Sequence, residues 1–151
     1  MDRSSAKLLK SIFLRVNKIS VFAVEKKYIR ETKKISALSR KIFLLLNKNG
    51  YSADIYLVSD ATMKKINRTY RKKDKTTNVL SFCEPKNFIS VPSRYKHLGE
   101  IYLSLDFIKA HKQDLRLMIV HGVLHLLGYD HISDKDRMKM ENKERQILDR
   151  I

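Results

Sequence analysis

Three histidines in the C-terminal third of the chain have the spacing of metal ligands. His121 and His125 are four residues apart, in a segment whose apolar residues recur at helical intervals. Residues four apart on a helix lie on one face, one turn from each other, so both imidazoles can reach a single ion. His131 follows Gly128, where a turn can direct the chain back towards that pair. The pattern predicts a metal site, with buried structural histidines as the alternative interpretation.

Three protein ligands and one open position are typical of catalytic zinc, whereas structural zinc usually has four protein ligands. The spacing H-x-x-x-H-x-x-G-x-x-H also occurs in metzincin proteases, in which a glutamate directly after the first histidine acts as general base. Gly122 occupies that position here, so proteolysis would lack its proton acceptor. We therefore expect one zinc ion, or another transition metal, and a reaction other than peptide hydrolysis.

The other histidines and the single cysteine are weaker candidates for ligands. Cys83 follows an apolar run and is more typical of packing, although it would become a fourth ligand if its loop approached the histidines. His97 and His111 do not lie at ligand spacing, and we expect them in a loop and on a helix surface. Asp130, next to His131, could act as general base or could orient a histidine through a hydrogen bond. The sequence leaves these two roles open.

The chain is strongly basic, with 32 Lys and Arg against 16 Asp and Glu and a formal net charge of +16. This balance is typical of proteins that bind RNA, DNA or an anionic membrane surface, and a solvated lysine-rich face is the alternative. The longest apolar runs, residues 42–46 and residues 115–120 with Arg116 among them, are far shorter than the roughly 20 residues of a membrane-spanning helix. One cysteine excludes an intrachain disulfide, so we expect a cytoplasmic protein without a membrane partner.

Positive charge is concentrated between residues 64 and 75, where Asp74 is the one acidic residue. A cluster of this kind can contact the phosphate backbone of RNA. Tyr70, within it, could stack on a base or could pack as a half-buried core residue. The predicted RNA-binding residues of this basic cluster are Lys64, Lys65, Arg68, Lys72, Lys73 and Lys75.

Hydrophobic patterns predict the elements that must position these groups. Residues 19–24 form a β-branched and aromatic run typical of a strand, a basic segment up to residue 49 is predicted as helix, and Gly50 supplies its stop. A second strand is predicted around residues 55–58, followed by a helix that Ser59 or Asp60 can cap. Residues 79–82 and 101–105 are predicted as two further strands, separated by a loop over residues 84–98 that contains both prolines.

The C-terminal part is predicted to be helical after residue 106. Its apolar residues recur at i, i+3, i+7 and i+10, which indicates one buried stripe that ends at Gly128. The stripe consists of Leu117, Val120, Leu124 and Leu127. Ser133, with Asp136 three residues on, resembles a helix-start pair, and a last helix is predicted to reach about residue 149. The order predicts an α+β fold with α/β-like layers, in which a mixed sheet of about four strands is packed by about four to five helices.

Two segments resemble the YbeY endoribonuclease family. They are HGVLHLLGYDH, from His121 to His131, and YRKKDKTTNVLSF, from Tyr70 to Phe82. A weaker match is LGEI at residues 98–101, where the family usually has Asp in place of Glu100.

This resemblance implies a metal-dependent, single-strand-specific endoribonuclease that acts in ribosomal RNA maturation and ribosome quality control. It implies RNA, in the form of ribosomal RNA or a ribosomal subunit, as partner, and no small-molecule cofactor. It also implies that His121, His125 and His131 bind the metal and that Arg71 is the catalytic residue facing the phosphate. A guanidinium suits that role because it can donate two parallel hydrogen bonds to phosphate oxygens and stabilise developing charge. An ion pair with Asp74 is the alternative role for Arg71.

The chain departs from the family pattern next to the expected site. Lys72 replaces the glycine that commonly follows the arginine, and Cys83 with Glu84 stands where the family usually has Phe or Pro. The loop beside the site is therefore expected to be shaped differently.

The resemblance extends over residues 19–151, which are predicted to form a single metal-dependent ribonuclease domain, and leaves residues 1–18 as an N-terminal extension. The extension is basic and is predicted as an additional helix, with an organellar presequence as the alternative. A second class of function fits the same residues, namely a non-catalytic ribosome-assembly factor in which zinc stabilises the fold and the basic surface binds rRNA. The open fourth position expected for the metal favours catalysis.

Overall fold

The computed structural model describes residues 16–87 and 92–151 and places four strands and five helices in them. The strands are β1 (Lys18–Ala23), β2 (Tyr51–Val58), β3 (Val79–Cys83) and β4 (Lys96–Ser104). The helices are α1 (Ile29–Leu45), α2 (Asp60–Arg71), α3 (Leu105–Ala110), α4 (Leu115–Leu126) and α5 (Asp134–Leu148), and a 3-10 turn (Lys26–Tyr28) precedes α1. The predicted α+β architecture is confirmed. The N-terminal extension was predicted over residues 1–18, of which residues 1–15 lie outside the described part, and β1 begins at Lys18.

The four strands form one mixed sheet in the order β1-β2-β4-β3. β1, β2 and β4 are parallel to one another, whereas β3 runs antiparallel to β4 and forms one edge. Ile55 of β2 lies opposite Val21 of β1 and Ile101 of β4. Because side chains alternate between the two faces of a strand, these three apolar residues share one face of the sheet.

That apolar face carries the main core. Ile55 and Ile101 are essentially inaccessible to solvent there, as are Phe43 of α1 and Leu124 of α4. α1, α4 and α5 supply the covering layer, and Met140 of α5 is also fully buried. Apolar burial of this kind stabilises by about 25 cal/mol per Å², and α4, which carries two of the three candidate ligands, belongs to this buried layer.

The opposite face is packed by α2, which buries Met63 against Val58 and Leu80. The helix starts where Ser59 accepts a hydrogen bond from the backbone N–H of Thr62, so Ser59 is the cap. A row of aromatic rings also crosses this face, with centroids 5.0 to 5.8 Å apart. The row consists of Phe22, Tyr56, Tyr102 and Phe82.

β4 begins five residues earlier than predicted, at Lys96, so the predicted loop over residues 84–98 is too long. Charged residues, a histidine and a glycine break the apolar pattern there, but pairing with β2 and β3 makes the segment a strand. Gly99 has φ +135°, and a Cβ at that position would lie 2.0 Å from the carbonyl oxygen of Phe82. The close approach of β3 and β4 therefore requires glycine.

Two helix ends also differ from the prediction. α1 ends at Leu45, with Asn47 in the left-handed region at φ 52°, so Gly50 is not its stop but a turn residue before β2. The helix predicted after residue 106 is two helices, α3 and α4, because Lys112 has φ 53° and Asp114 caps a new helix through the backbone N–H of Arg116. A strong local cap can interrupt an apolar pattern that would otherwise continue.

None of the helices in residues 16–87 and 92–151 is both long enough and apolar enough to cross a membrane.

Candidate metal centre

α4 holds the first two histidines close to the edge of the sheet. A Cβ at Gly122 would lie 3.0 Å from Cγ2 of Ile101 and 3.3 Å from Oγ of Ser81. The Ser81 hydroxyl donates a hydrogen bond to the carbonyl of Gly122 at 3.2 Å. The residue after His121 is thus packed against β3 and β4, and a glutamate has no room there.

The turn after α4 returns the third histidine to the first two. Gly128 adopts φ +92°, which ends the helix, and Asp130 Oδ1 accepts a hydrogen bond from the backbone N–H of Ile132 at 3.1 Å. The ring centroid of His131 consequently lies 5.1 Å from that of His121 and 5.0 Å from that of His125. Asp130 therefore shapes the turn, and the hydrogen bond found for its side chain goes to backbone rather than to a histidine.

The three imidazoles have the geometry of one mononuclear site. One nitrogen from each of His121, His125 and His131 can be chosen so that all lie within 4.8 Å of one another. The Nε2 atoms of His121 and His125 are 3.1 Å apart. Two nitrogens bound to zinc at about 2.0–2.1 Å with a tetrahedral angle would be about 3.3 Å apart, so the His121–His125 pair is spaced for a zinc-like ion.

Hydrogen bonds on the far side of two rings determine which nitrogens face the site. His125 Nδ1 lies 2.9 Å from the backbone carbonyl of Tyr129, and His121 Nδ1 lies 2.7 Å from Oε1 of Glu144. Carbonyls and ionised carboxylates only accept, so each Nδ1 donates, and each Nε2 is left with a lone pair for a metal.

Glu144 did not stand out in the sequence as a site residue. It lies on α5, 23 residues beyond His121, and its side chain is only 13% exposed. A signal does exist in the helical spacing, because Glu144 is four residues after Met140 and three before Ile147, both of which are buried. A carboxylate on the buried face of a helix needs a partner, and here that partner is a candidate metal ligand.

The lowered pKa of His125 also favours metal binding. Partial burial lowers its pKa below the usual value, and the positive charge of Arg71 acts in the same direction. The neighbouring His121 and His131 lower the pKa of His125 further, whereas the hydrogen bond to Tyr129 raises it. His125 is therefore neutral at neutral pH, which is the form of imidazole that binds metals.

Arg71 is the last residue of α2 and approaches the histidines from the other face of the sheet. Its guanidinium carbon lies 5.9 Å from the ring centroid of Phe82, and its charge reaches His125. The alternative ion pair with Asp74 is not found among the described residues, where Asp74 is 3.8 Å from Lys64 and 3.9 Å from Arg68. The guanidinium is thus left exposed to solvent beside the site.

All six predicted residues of the basic cluster are exposed, on α2 and on the turn that follows it. The six are Lys64, Lys65, Arg68, Lys72, Lys73 and Lys75. Tyr70 is 69% exposed, with its ring centroid 5.3 Å from that of Phe82. The alternative prediction, that Tyr70 packs as a half-buried core residue, is therefore wrong. Lys72 has φ 58°, in the left-handed region where glycine is unstrained.

The remaining candidates lie outside the histidine group. The Cys83 thiol is 3.5 Å from the carbonyl of His125, so it contacts the backbone of α4 without joining the three imidazoles. His111 follows α3 and stacks on Phe107 at 3.9 Å, on the surface as predicted. His97 was predicted in a loop but lies in β4, where its ring contacts Ser52 and Glu84.

Comparison with known proteins adds a family to this geometry. A family profile described as endoribonuclease YbeY matches residues 15–151. An endoribonuclease YbeY from Persephonella marina is 35% identical over 138 residues, covering 85% of this chain and 85% of its own length. An endoribonuclease YbeY from Neorickettsia sennetsu is 31% identical over 142 residues, covering 88% of this chain and 96% of its own length.

A solved structure supports the fold independently. The solution structure of a Thermotoga maritima protein matches with a TM-score of 0.53 at 22% identity, over 87% of this chain and 89% of that one. At this level of identity the match concerns the fold alone.

Proposed function

Since the chain belongs to the YbeY endoribonuclease family, we propose that it cleaves single-stranded RNA internally, with a metal ion held by His121, His125 and His131. Its proposed roles are the maturation of ribosomal RNA and ribosome quality control in the cytoplasm, with ribosomal RNA or a ribosomal subunit as partner. The observation that carries the proposal is the convergence of three imidazole nitrogens within 4.8 Å, beside a solvent-exposed guanidinium.

A zinc-like ion at the three histidines would supply Lewis-acid chemistry to a phosphodiester. The side chains around the histidines orient them for that ion. Glu144 and the Tyr129 carbonyl hold the His121 and His125 rings with their Nε2 atoms towards the site. Fixed ligand rings present their lone pairs without reorganisation when the ion binds.

Arg71 is proposed to bind the phosphate of the bond that is cleaved. A guanidinium donates two parallel hydrogen bonds to a phosphate and stabilises the negative charge that grows during phosphoryl transfer. The face of Phe82 supports the guanidinium from one side, at 5.9 Å from ring centroid to guanidinium carbon. The exposed basic cluster on α2 would bind neighbouring phosphates of the same strand.

Two other functions are supported less well. A closed structural zinc site would favour the non-catalytic assembly factor, but His131 is exposed and three ligands leave a position open. A peptidase of the metzincin type would need a glutamate at position 122, where even a Cβ would lie 3.0 Å from Ile101.

The test is RNA cleavage by metal-analysed protein on matched single-stranded and structured RNA, with a His125→Ala variant beside it. We expect the wild-type protein to cut the single-stranded RNA, and a folded His125→Ala protein to bind RNA without cutting it. Circular dichroism must establish folding first, because metal loss can unfold a small domain. Cleavage at the wild-type rate by folded His125→Ala protein would refute the metalloenzyme proposal.

A further inference from the structure

A concave surface lies next to the turn between His125 and His131, at the end of the strands away from the starts of α2 and α3. It is a cavity of about 780 Å³, formed where β2 and β4 begin and β3 ends. Sites for small organic ligands typically measure about 300–1,000 Å³, so the cavity is large enough for one.

The cavity shares residues with the candidate metal centre. Leu126, Leu127 and Gly128 line it, and they form the end of α4 and the turn between His125 and His131. Cys83 lines it as well, and its thiol contacts the carbonyl of His125 at 3.5 Å. A molecule in the cavity would therefore lie next to the turn that connects His125 to His131.

The wall of the cavity contains an ordered polar group. His97 Nδ1 lies 3.1 Å from Oγ of Ser52, and His97 Nε2 lies 3.6 Å from Oε2 of Glu84. Both side chains of the His97–Glu84 pair are about one-third exposed, so they face the cavity while remaining packed. Among the described residues that line the cavity, Glu84 carries the one carboxylate, and it is directed at an imidazole.

The other lining groups combine cations, aromatic rings and an apolar floor. Lys48, Lys86 and Lys96 come from three different segments of the chain, and Tyr51 and Tyr95 accompany them. Leu98, Leu126 and Leu127 lie beneath. Lys86 and Lys96, against one carboxylate that is paired with His97, favour an anionic ligand, and the rings and leucines favour a flat apolar group on that ligand.

We infer that this cavity binds one nucleotide of the RNA strand next to the bond that is cleaved, an inference that rests on the proposed function. Lys86 and Lys96 would contact its phosphate, Tyr95 would stack on its base, and the Ser52–His97 edge would hydrogen-bond to ribose or base. A free phosphate would use only the lysines, so the tyrosine distinguishes a nucleotide from an adventitious anion.

The test measures affinity for a fluorescent single-stranded RNA whose phosphorothioate linkages resist cleavage, with the full chain as purified. The Lys86→Gln/Lys96→Gln variant should reduce the slope of log affinity against log salt by about 0.7 for each lysine. The matched control is Lys33→Gln/Lys34→Gln, which removes two charges on α1 and should leave the slope unchanged. Equal slope changes in the two variants would mean that RNA binding depends only on the net charge of the protein, and would overturn the inference.

Base stacking is tested separately with Tyr95→Ala, which should weaken RNA binding roughly five- to 150-fold at constant salt slope, as expected when one base no longer stacks on a ring. Tyr95→Phe keeps the ring and should bind RNA like the wild type. Unchanged affinity in folded Tyr95→Ala protein would overturn the nucleotide assignment, as would a wild-type protein that binds no RNA.

The two proposals fail in different ways. Cavity-dependent binding by a metal-loaded protein that never cuts RNA would refute the proposed function and leave the binding site in place. If the wild-type protein cleaves natural RNA and all the cavity variants bind RNA normally, the nucleotide site is refuted and the proposed function stands.

Discussion

Single side chains outside the ligand set control how the candidate ligands are presented. Glu144 differs from the exposed carboxylates of α5 because it is buried against His121, at 2.7 Å from Nδ1. Arg71 differs from its basic neighbours because its charge reaches the histidines while those of Lys64 and Arg68 face Asp74. Glu144 and Arg71 are therefore distinguished from residues of the same type on the same helices by their contacts with the histidines.

Replacing Glu144 by Gln should lower zinc affinity roughly 10- to 100-fold, the usual effect of losing the group that orients a metal-bound histidine. The physical reason is the loss of the negative charge that holds Nδ1–H and makes Nε2 a better donor. Competition with a zinc chelator measures the affinity. Glu141→Gln, on the same helix but exposed, is the control and should bind zinc normally. Identical affinities for both variants would remove Glu144 from the site.

Replacing Arg71 by Lys should abolish most RNA cleavage while zinc content and thermal stability persist, because lysine keeps the charge but not the two parallel donors. Arg68→Lys, one turn earlier and exposed, should cleave nearly as fast as the wild type. Single-turnover cleavage rates compare the three proteins. If Arg71→Lys cuts RNA at the wild-type rate, the forked phosphate contact is wrong.

Whole elements are placed by close packing at a few backbone positions. α4 lies against the sheet because Gly122 has no side chain, and α2 ends where Lys72 takes a left-handed conformation. Position 122 requires the glycine that is present there, whereas position 72 would be less strained with glycine than with Lys72. The chain therefore combines an optimised contact with a strained one on opposite sides of the candidate site.

Lys72→Gly should raise the free energy of unfolding by about 0.5–1 kcal/mol, since a left-handed residue other than glycine costs about 1–2 kcal/mol and glycine loses part of that gain through unfolded-state entropy. Urea denaturation measures the difference. Lys72→Ala removes the same charge and the Nζ hydrogen bond to the Thr69 carbonyl at 3.1 Å, but keeps the strain, so it should not be stabilised. A stabilised Lys72→Ala protein would point to charge rather than backbone strain.

Gly122→Ala should lower the free energy of unfolding by up to about 2 kcal/mol, because overpacking typically costs about 1–3 kcal/mol and the higher helix propensity of alanine offsets about 1 kcal/mol of that cost. Its Cβ would meet Cγ2 and Cδ1 of Ile101, at 3.0 and 3.2 Å, in a side chain that is fully buried. Ile101→Val removes one of those methyl groups and should partly rescue Gly122→Ala. Strict additivity of the two substitutions in denaturation would show that this contact is not the cause.

At the scale of the molecule, the basic cluster and the metal ligands occupy separate surfaces. The basic cluster is on α2, and the histidines are on α4 and the turn beyond it, with β3 between the two helices. The net charge of +16 promotes association with RNA, whereas the metal centre is proposed to act on one bond. Binding and cleavage should therefore be separable by substitution.

Replacing Lys64, Lys65, Lys72 and Lys73 by Ala should reduce the slope of log affinity against log salt by about 0.7 for each RNA phosphate that a lysine no longer neutralises. Affinity should fall for all single-stranded sequences, and zinc content should not change. His125→Ala, if folded, should have the opposite profile, with the wild-type slope and no cleavage. A quadruple variant with an unchanged slope would show that the RNA lies elsewhere, without affecting the metal centre.

Local sequence patterns were sufficient for much of the fold and for the three histidines. Helical spacing, a glycine turn and the caps at Ser59 and Ser133 act over a few residues, and the structure confirms both caps. The predicted stripe on α4 is only partly confirmed, since Val120 and Leu124 are buried but Leu117 and Leu127 are only partly buried. Ile119 and Val123, which were not predicted, are fully buried. A helix enclosed by a sheet and two other helices is buried on more sides than periodicity alone indicates.

Tertiary structure alone decided the features that depend on contacts between distant segments. β4 starts at Lys96 because two neighbouring strands pair with it, and Glu144 reaches His121 because α5 packs against α4. The cavity around His97 likewise joins the ends of three strands and a helix. Residue types and short spacings determine caps, turns and ligand pairs, because those interactions lie within one or two turns of chain. The contact between Glu144 and His121 depends instead on how α5 packs against α4.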